Sequence, residues 1–275
     1  MDFSTKEIFK YEKDYLTFMK RAFLYIDILG FGELVKSKSV KIDEIFKIFD
    51  KLNVFKHDSF QVIVFSDTIL VFNKEENWSK DYFITYLIEY AQELFYKLSS
   101  INIYFKGIIT FGEFNFKELK NFQSYYGETL NETYKDEAEL DGFGLYINKK
   151  LDKKVIVFDK VSFNEKYDYI LLCQSYINLY DQTNGNLPIG LDILTETDTF
   201  FRIEEDLRFF REIEYLKNNH CSKRVRHKYQ IVYDIYKDRT KEFFEKFENE
   251  GFIPSVINSD YFCRINPYEI LANKN

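Results

Sequence analysis

Two aspartates stand where apolar runs end. Asp27 follows Phe23-Leu24-Tyr25-Ile26 and leads into Ile28-Leu29-Gly30-Phe31. Asp67 follows Val62-Ile63-Val64-Phe65 and Ser66, and leads into Thr68 and Ile69-Leu70-Val71-Phe72. An ionised carboxylate among apolar neighbours is costly unless a cation, a set of donors or water meets it. Either residue alone reads as an ordinary strand-end carboxylate facing water. As a pair they read differently. If their strands are neighbours, two like charges lie a few ångströms apart and call for a divalent ion between them. A set of oxygen ligands suits Mg2+ or Mn2+. Two carboxylates do not fill the shells of two such ions, so a two-metal site of this kind expects an oxygen-rich substrate. A nucleoside triphosphate is one. One ion would lower the pKa of an attacking hydroxyl and the other would hold the triphosphate and its leaving group.

The elements that must position the pair follow from periodicity. The stretch Arg21 to Ile28 reads as a buried strand, and Phe60 to Phe72 reads as two buried strands joined by a tight turn at Ser66-Asp67-Thr68. Val40 to Leu52 carries Ile42, Ile45, Phe46, Ile48, Phe49 and Leu52 on one broad helical face. A second helix is expected over Lys80 to Ser99, capped by Ser79. Ile101 to Phe111 is an expected strand ending at Gly112-Glu113. A polar loop then runs to Gly127, and a helix is expected from Glu128 to Leu140. Lys154 to Phe158 and Tyr167 to Cys173 are expected strands, and residues 174–200 read as loop. Phe201 to Asn218 and Lys223 to Glu248 read as two long helices forming an antiparallel pair, and Gly251 to Asn275 reads as a wrapped tail.

This order predicts an α+β fold: a mixed, mainly antiparallel sheet with helices on one face, plus a C-terminal helical appendage. Residues 1–20 read as a solvated lead-in, 21–175 as the catalytic-type domain and 176–275 as a helical extension packed on it. No GxGxxG and no Walker lysine loop occurs, so the common phosphate-cradling signatures are absent.

Composition narrows the classes. The formal net charge of −7 argues against general nucleic-acid binding, which needs basic side chains to neutralise phosphates. Cys173, Cys221 and Cys263 are odd in number and lack zinc or disulfide spacing, which points to a reducing, cytoplasmic setting. The first residues carry no signal-peptide core, and no apolar run approaches the roughly 20 residues of a membrane helix. No direct membrane attachment is therefore expected. His57, His220 and His227 show no ligand spacing. The basic run Lys223, Arg224, Arg226, His227, Lys228 reads as a solvated helix face, with triphosphate neutralisation from across a dimer as its functional alternative.

Five stretches taken in order resemble a family. They are Asp27-Ile28-x-Gly30-Phe31, Ser66-Asp67, Lys106-Gly107-Ile108 ending at Gly112-Glu113, Gly127-x-x-Leu130-Asn131, and the helix GETLNETYKDE from Gly127 to Glu137. Together they resemble class III nucleotidyl cyclases, and more nearly the pyrimidine (uridylate or cytidylate) cyclases of the Pycsar antiphage systems. The helix of that group reads GEALxxAYxLE, and its late KY-(W)-x-x-x-Y pattern is similar to Lys228-Tyr229-Gln230-Ile231-Val232-Tyr233. The likeness covers about residues 20–160 and that late helix.

The resemblance implies a homodimer with composite active sites. It implies Asp27 and Asp67 as ligands of two Mg2+ or Mn2+ ions, with the Ile28 carbonyl as a third donor. It implies a Gly30-Phe31 turn whose N–H groups meet phosphates, with Ser66 and Tyr134 also on the substrate, and Asn131 and Lys106 neutralising charge as the reaction proceeds. Lys135 falls where purine cyclases carry an Arg. Those enzymes usually carry a base-reading Lys four residues before the second metal Asp, where this chain has Ile63. Lys106 stands where the pyrimidine group has Arg, and that group's Pro-Arg-Ile is not recognisable near Gly142 to Ile147.

The expected reaction is conversion of UTP or CTP into the 3′,5′-cyclic monophosphate (cUMP or cCMP) and pyrophosphate. The product would signal to a separate cyclic-nucleotide-responsive effector in antiviral defence. The alternatives are a catalytically degenerate cyclase-like protein that binds nucleotide or only dimerises, and a purine cyclase with an atypical base pocket.

Overall fold

The computed structural model describes residues 19–52, 57–74, 80–154, 158–190 and 202–259. The central strand β1 (Lys20–Ile28) is followed by a short helix α1 (Phe31–Lys36) and by α2 (Lys41–Asp50). The hairpin β2 (Phe60–Phe65) and β3 (Thr68–Asn73) comes next, then the long helix α3 (Lys80–Ser99). Strand β4 (Phe105–Glu113) runs into the ribbon β5 (Asn115–Glu118) and β6 (Gln123–Tyr126), which leads to α4 (Glu128–Glu139). Strands β7 (Gly144–Asn148), β8 (Lys160–Ser162) and β9 (Tyr167–Ile170) complete the sheet. Helices α5 (Gln174–Thr183), α6 (Ile203–Asn219), α7 (Lys223–Arg239) and α8 (Lys241–Asn249) follow.

The seven strands are ordered β2-β3-β1-β4-β7-β9-β8. Every pairing is antiparallel except β4 with β7. This is the expected α+β class, with a mixed and mainly antiparallel sheet. Strand alternation sorts β1 cleanly. Leu24, Ile26 and Ile28 face the main core with α3, α6 and α7, while Phe23 and Tyr25 join Phe72 and Phe114 in a smaller cluster on the opposite face. Helix α4 lies over part of that opposite face. Its Leu130 packs on the small cluster, and Thr129 sits so close to Gly112 that a Cβ there would meet the threonine oxygen at 2.3 Å. The main core runs without a break from β1 to Ile257, so the C-terminal helices share it with the sheet.

Several local expectations are corrected. Residues 174–183 are not loop but α5. Its first-turn Tyr176 N–H is accepted at 2.9 Å by Asp206 of α6, a cap supplied from a distant part of the chain. The polar loop before Gly127 folds as the β5–β6 ribbon, held by stacked Phe116 and Tyr125 rings. The expected strand at Ile101 begins only at Phe105, because Ile101 to Tyr104 turn the chain out of α3. The single long helix expected from Lys223 to Glu248 breaks at Thr240, whose hydroxyl bonds the Tyr236 carbonyl and the Tyr176 hydroxyl. The Gly30-Phe31 turn opens α1, and β7 and β8 have no counterpart in the expected order. Lys154 ends a 3-10 turn, and the rest of the strand expected there lies mostly outside the described residues. So do the Ser79 cap, most of the lead-in and the tail beyond 259.

Candidate active site

Asp27 is the last residue of β1 to face the small-cluster side of the sheet, in line with Phe23 and Tyr25. Its strand partners are Thr68 of β3 and Lys106 of β4. Asp67 occupies the two-residue turn between β2 and β3, beside β1. The Ile28 N–H donates to the Asp67 carbonyl at 3.0 Å, which fixes the two acidic residues side by side. Ser66, the other turn residue, is held at φ 58°, the left-handed region that a two-residue hairpin turn requires and that costs a non-glycine residue energy.

Burial pushes the Asp27 carboxyl from the usual carboxylate range up to about 6; the charges of Glu137 and Asp67 push the same way, while Lys106 and Lys228 hold it down. The carboxyl is thus short of positive charge where it sits. Among the described residues no group of three or more His, Cys, Asp and Glu surrounds a metal position. The available donors are two carboxylates and the backbone beside them, all oxygen. That set fits one or two hard divalent ions completed by water and a phosphate-bearing ligand, and does not fit zinc. The residues that would hold them are Asp27, Asp67 and Ile28.

Lys106 is nearly enclosed, its side chain 4% exposed, and its ammonium donates to the Glu137 carboxylate at 2.8 Å and the Glu137 carbonyl at 2.7 Å. Within this chain its charge is therefore already matched. The pair also pins the end of α4 to β4. The neighbouring Asp136 pins the same turn to β9 by accepting from Lys166 and the Tyr167 hydroxyl. Both Asp136 and Glu137 lie inside the Gly127 to Glu137 helix motif, and Glu137 matches its final Glu, yet neither is among the residues expected to act in the site. The signal that finds Glu137 is the spacing of Leu130, Thr133 and Glu137, which puts all three on the sheet-facing stripe of α4.

The remaining candidates divide. Gly30 is at φ 73°, caps α1 and has open space around it. Phe31 is buried, its ring against Phe46, and the exposed residues of the turn are Gly30 and Gly32 on either side of it. Asn131, Tyr134 and Lys135 lie on the exposed side of α4, with Tyr134 66% exposed. The Asn131 side chain makes no hydrogen bond among the described residues. The structure thus brings Asp27, Ile28, Asp67 and Lys106 together, keeps Gly30 near the same strand end, and turns Asn131 and Tyr134 outward. Ile63 packs against the small cluster, whereas Phe65, at the tip of the hairpin, is 79% exposed. The tip of the β2–β3 hairpin beside Asp67 is left uncovered, with Phe65 and Ser66 exposed.

Helix α4 enters through Gly127, where a Cβ would lie 2.3 Å from the Glu113 carbonyl and 2.8 Å from Phe114 Cα. Backbone cannot yield as a flexible side chain can. Gly127→Ala is expected to cost about 2 kcal/mol or more and to lower the thermal midpoint by about 5 °C. A midpoint equal to that of the parent chain would contradict this packing.

No protein-family model matches the chain, and no curated protein matches its sequence. Solved structures do resemble it. The guanylyl cyclase domain of the RhoGC fusion protein from the aquatic fungus Blastocladiella emersonii aligns at 15% identity and a TM-score of 0.45, over 56% of this chain and 95% of that one. The guanylate cyclase domain of RhGC from Catenaria anguillulae, in complex with GTP, aligns at 12% identity and a TM-score of 0.44, over 56% and 97%. The adenylyl cyclase CyaB from P. aeruginosa aligns at 11% identity and a TM-score of 0.40, over 55% and 93%.

Proposed function

We propose that this chain is a nucleotidyl cyclase that turns a pyrimidine nucleoside triphosphate, UTP or CTP, into the 3′,5′-cyclic monophosphate and pyrophosphate. The observation that carries the reading is the meeting of Asp27 and Asp67, locked together by the Ile28-to-Asp67 backbone bond beside the exposed tip of the β2–β3 hairpin. The motif order in the sequence supports the class. Ile63, in place of a base-reading lysine, supports a pyrimidine over a purine.

Two Mg2+ or Mn2+ ions held by Asp27, Asp67 and the Ile28 carbonyl would neutralise the triphosphate and ease ionisation of the ribose 3′-hydroxyl. The protein's own groups orient the reactants. The open Gly30-Phe31 turn presents backbone N–H groups to phosphate oxygens. The 3′-hydroxyl gives its proton to water, its oxygen attacks the α-phosphorus in line, the bond from that phosphorus to the bridging oxygen of the β-phosphate breaks, and pyrophosphate leaves with that oxygen. Asn131, outward on α4 and without a partner of its own among the described residues, suits donation to a reacting group held by a second copy of the chain. The uncovered face around Phe65 suits the same homodimer. The cyclic nucleotide would act on a separate effector in antiphage defence, a role that rests on the sequence resemblance.

A second reading has one observation in its favour. Lys106 is neutralised by Glu137 of its own chain, as in a degenerate domain that binds nucleotide without turning it over. Incubating the purified protein with each of the four ribonucleoside triphosphates and Mn2+, with mass detection of products, separates the readings. A cUMP or cCMP peak is expected. A cAMP or cGMP peak would retain the metals and overturn the base preference. Absence of all four products would favour the degenerate domain.

A further inference from the structure

The first two turns of α7 carry Lys223, Arg224, Arg226, His227 and Lys228, with no acidic residue in the first turn and no side-chain cap from Ser222. Cations at a helix N-terminus face the positive end of the helix dipole, at about 0.3–1 kcal/mol each. The arrangement is unfavourable unless something anionic sits nearby. Arg226 is used within the fold, donating to the His220 carbonyl. Arg224 and Lys228, one turn apart and so on one face, form no ion pair or hydrogen bond among the described residues.

Packing decides where that face points. Tyr229 wedges against Tyr104, with ring centroids 5.7 Å apart, and against Phe143 at 5.3 Å. The next turn presses on Gly142, where a Cβ would lie 3.2 Å from Ile231 Cγ2. Gly142 is at φ 91°, so a side chain there would be strained even with more room. Tyr104 lies just before β4, and its carbonyl accepts the Leu29 N–H at 2.9 Å. Helix α7 therefore meets the sheet at the end where β1 delivers Asp27. Lys228, adjacent to the wedged Tyr229, is half-buried there. Burial, Lys106 and Arg224 push its ammonium below the usual lysine range, while Glu137 and Asp27 hold it up.

The local charges can be paired off. Lys106 is matched by Glu137. Asp27 and Asp67 remain for divalent cations; Lys228 feels Glu137 and Asp27 but bonds to neither, so it and Arg224 keep their donors for an anion. We propose that Lys228, assisted by Arg224, is an anchor for a di- or triphosphate chain, contributed by α7 to the site of its own protomer. This inference rests on the cyclase reading for the identity of the ligand, the triphosphate of the substrate or the released pyrophosphate, but not for the existence of the anion site. It also replaces the expected solvated basic face, and its alternative of neutralisation from across a dimer, with a contact inside one chain.

The test uses inorganic tripolyphosphate, which has neither base nor ribose, titrated calorimetrically with Mg2+ into the full chain and its variants. Removal of one charge-assisted hydrogen bond to phosphate corresponds to about a tenfold change in affinity. Lys228→Gln is expected to weaken binding about tenfold, Arg224→Gln about threefold, and Lys228→Arg by less than threefold. The KM for the nucleotide should rise in the same order. Thermal midpoints measured in parallel separate weakened binding from a damaged fold, and the Lys228→Arg rescue excludes a purely structural role. Equal tripolyphosphate affinity in the parent chain and Lys228→Gln, or no binding to the parent chain, would overturn the anchor. The two readings fail separately. Lys228-dependent tripolyphosphate binding without any cyclic product sinks the cyclase and keeps the anchor. Cyclic product with an unchanged KM in Lys228→Gln does the reverse.

Discussion

Asp27→Asn is expected to abolish the proposed cyclisation, lowering turnover by about 10^3-fold or more, while leaving a folded protein. Removing one of two carboxylates that hold a catalytic cation forfeits several kcal/mol of charge stabilisation in the transition state, and each 1.36 kcal/mol is tenfold in rate. Asp67→Asn should do the same. The fold should tolerate both changes. Asp67 lies in a turn whose structural bond uses its backbone carbonyl, which Asn retains. At Asp27 the change removes a charge that burial, Glu137 and Asp67 all disfavour. Without metal at neutral pH, Asp27→Asn should therefore melt at the same temperature as the parent chain or above it. Mn2+ should raise the midpoint of the parent chain and leave that of either variant where it was. Turnover within tenfold of the parent in either variant would dismiss the metal assignment, and a shared loss of folding would dismiss the packing argument.

Asp206 governs stability rather than activity. It is fully buried, and its carboxylate accepts the Tyr96 hydroxyl at 2.7 Å and the Tyr176 N–H at 2.9 Å, tying α3, α5 and α6 together. Burial pushes this carboxyl up to about 7, against the hydrogen bonds from Tyr96, Tyr176 and Cys173 that favour its charged form. The unfolded chain ionises near 3.9. Below that pH the group is protonated in both states and its contribution to stability is fully present. As pH rises through 7 the native state must ionise a buried carboxyl that the unfolded chain has already ionised, so the contribution is lost. The loss between pH 4 and 8 amounts to roughly 4 kcal/mol at most.

Asp206→Asn should remove this slope. The amide oxygen can accept the Tyr176 N–H, and the amide nitrogen can donate to the Tyr96 oxygen, whose own proton turns to the Leu172 carbonyl 3.2 Å away. The variant should match the parent chain within about 1 kcal/mol at pH 5 and exceed it by about 2 kcal/mol or more at pH 8. Asp206→Ala instead leaves the Tyr176 N–H buried without an acceptor and opens a cavity, at a cost of about 3 kcal/mol. Denaturant midpoints of the three proteins at pH 5 and 8 test this. A difference between parent and Asp206→Asn that does not change with pH would reject it.

Much of the candidate site can be read along the chain because its signals are local. The carboxylates follow apolar runs that read as strands, buried in β1 but only half-buried to exposed in the edge strand β2, and the two-residue turn at Ser66-Asp67 is too short to join anything but antiparallel neighbours. Helix α3 is legible because its apolar stripe is long and regular. The pairing of Glu137 with Lys106 and the placement of Lys228 at the Asp27 end of the sheet are not legible, because each depends on a partner some 30 or more residues away. Helix α5 is hidden for the same reason, since its cap comes from Asp206 and not from its own first residues.

The sequence by itself determined the strand–turn–strand frame, the class of the sheet, the two acidic positions and the oxygen-only character of their chemistry. These depend on periodicity two, on hydrophobicity and on residue type, all of which act within a few residues. Tertiary structure alone decided that Lys106 is already paired with Glu137, that α4 turns Asn131 outward, and that α7 delivers Lys228 to the strand end holding Asp27. Charge interactions act through space and strengthen with burial. Their partners are set by how helices pack on a sheet, which no local window of sequence contains.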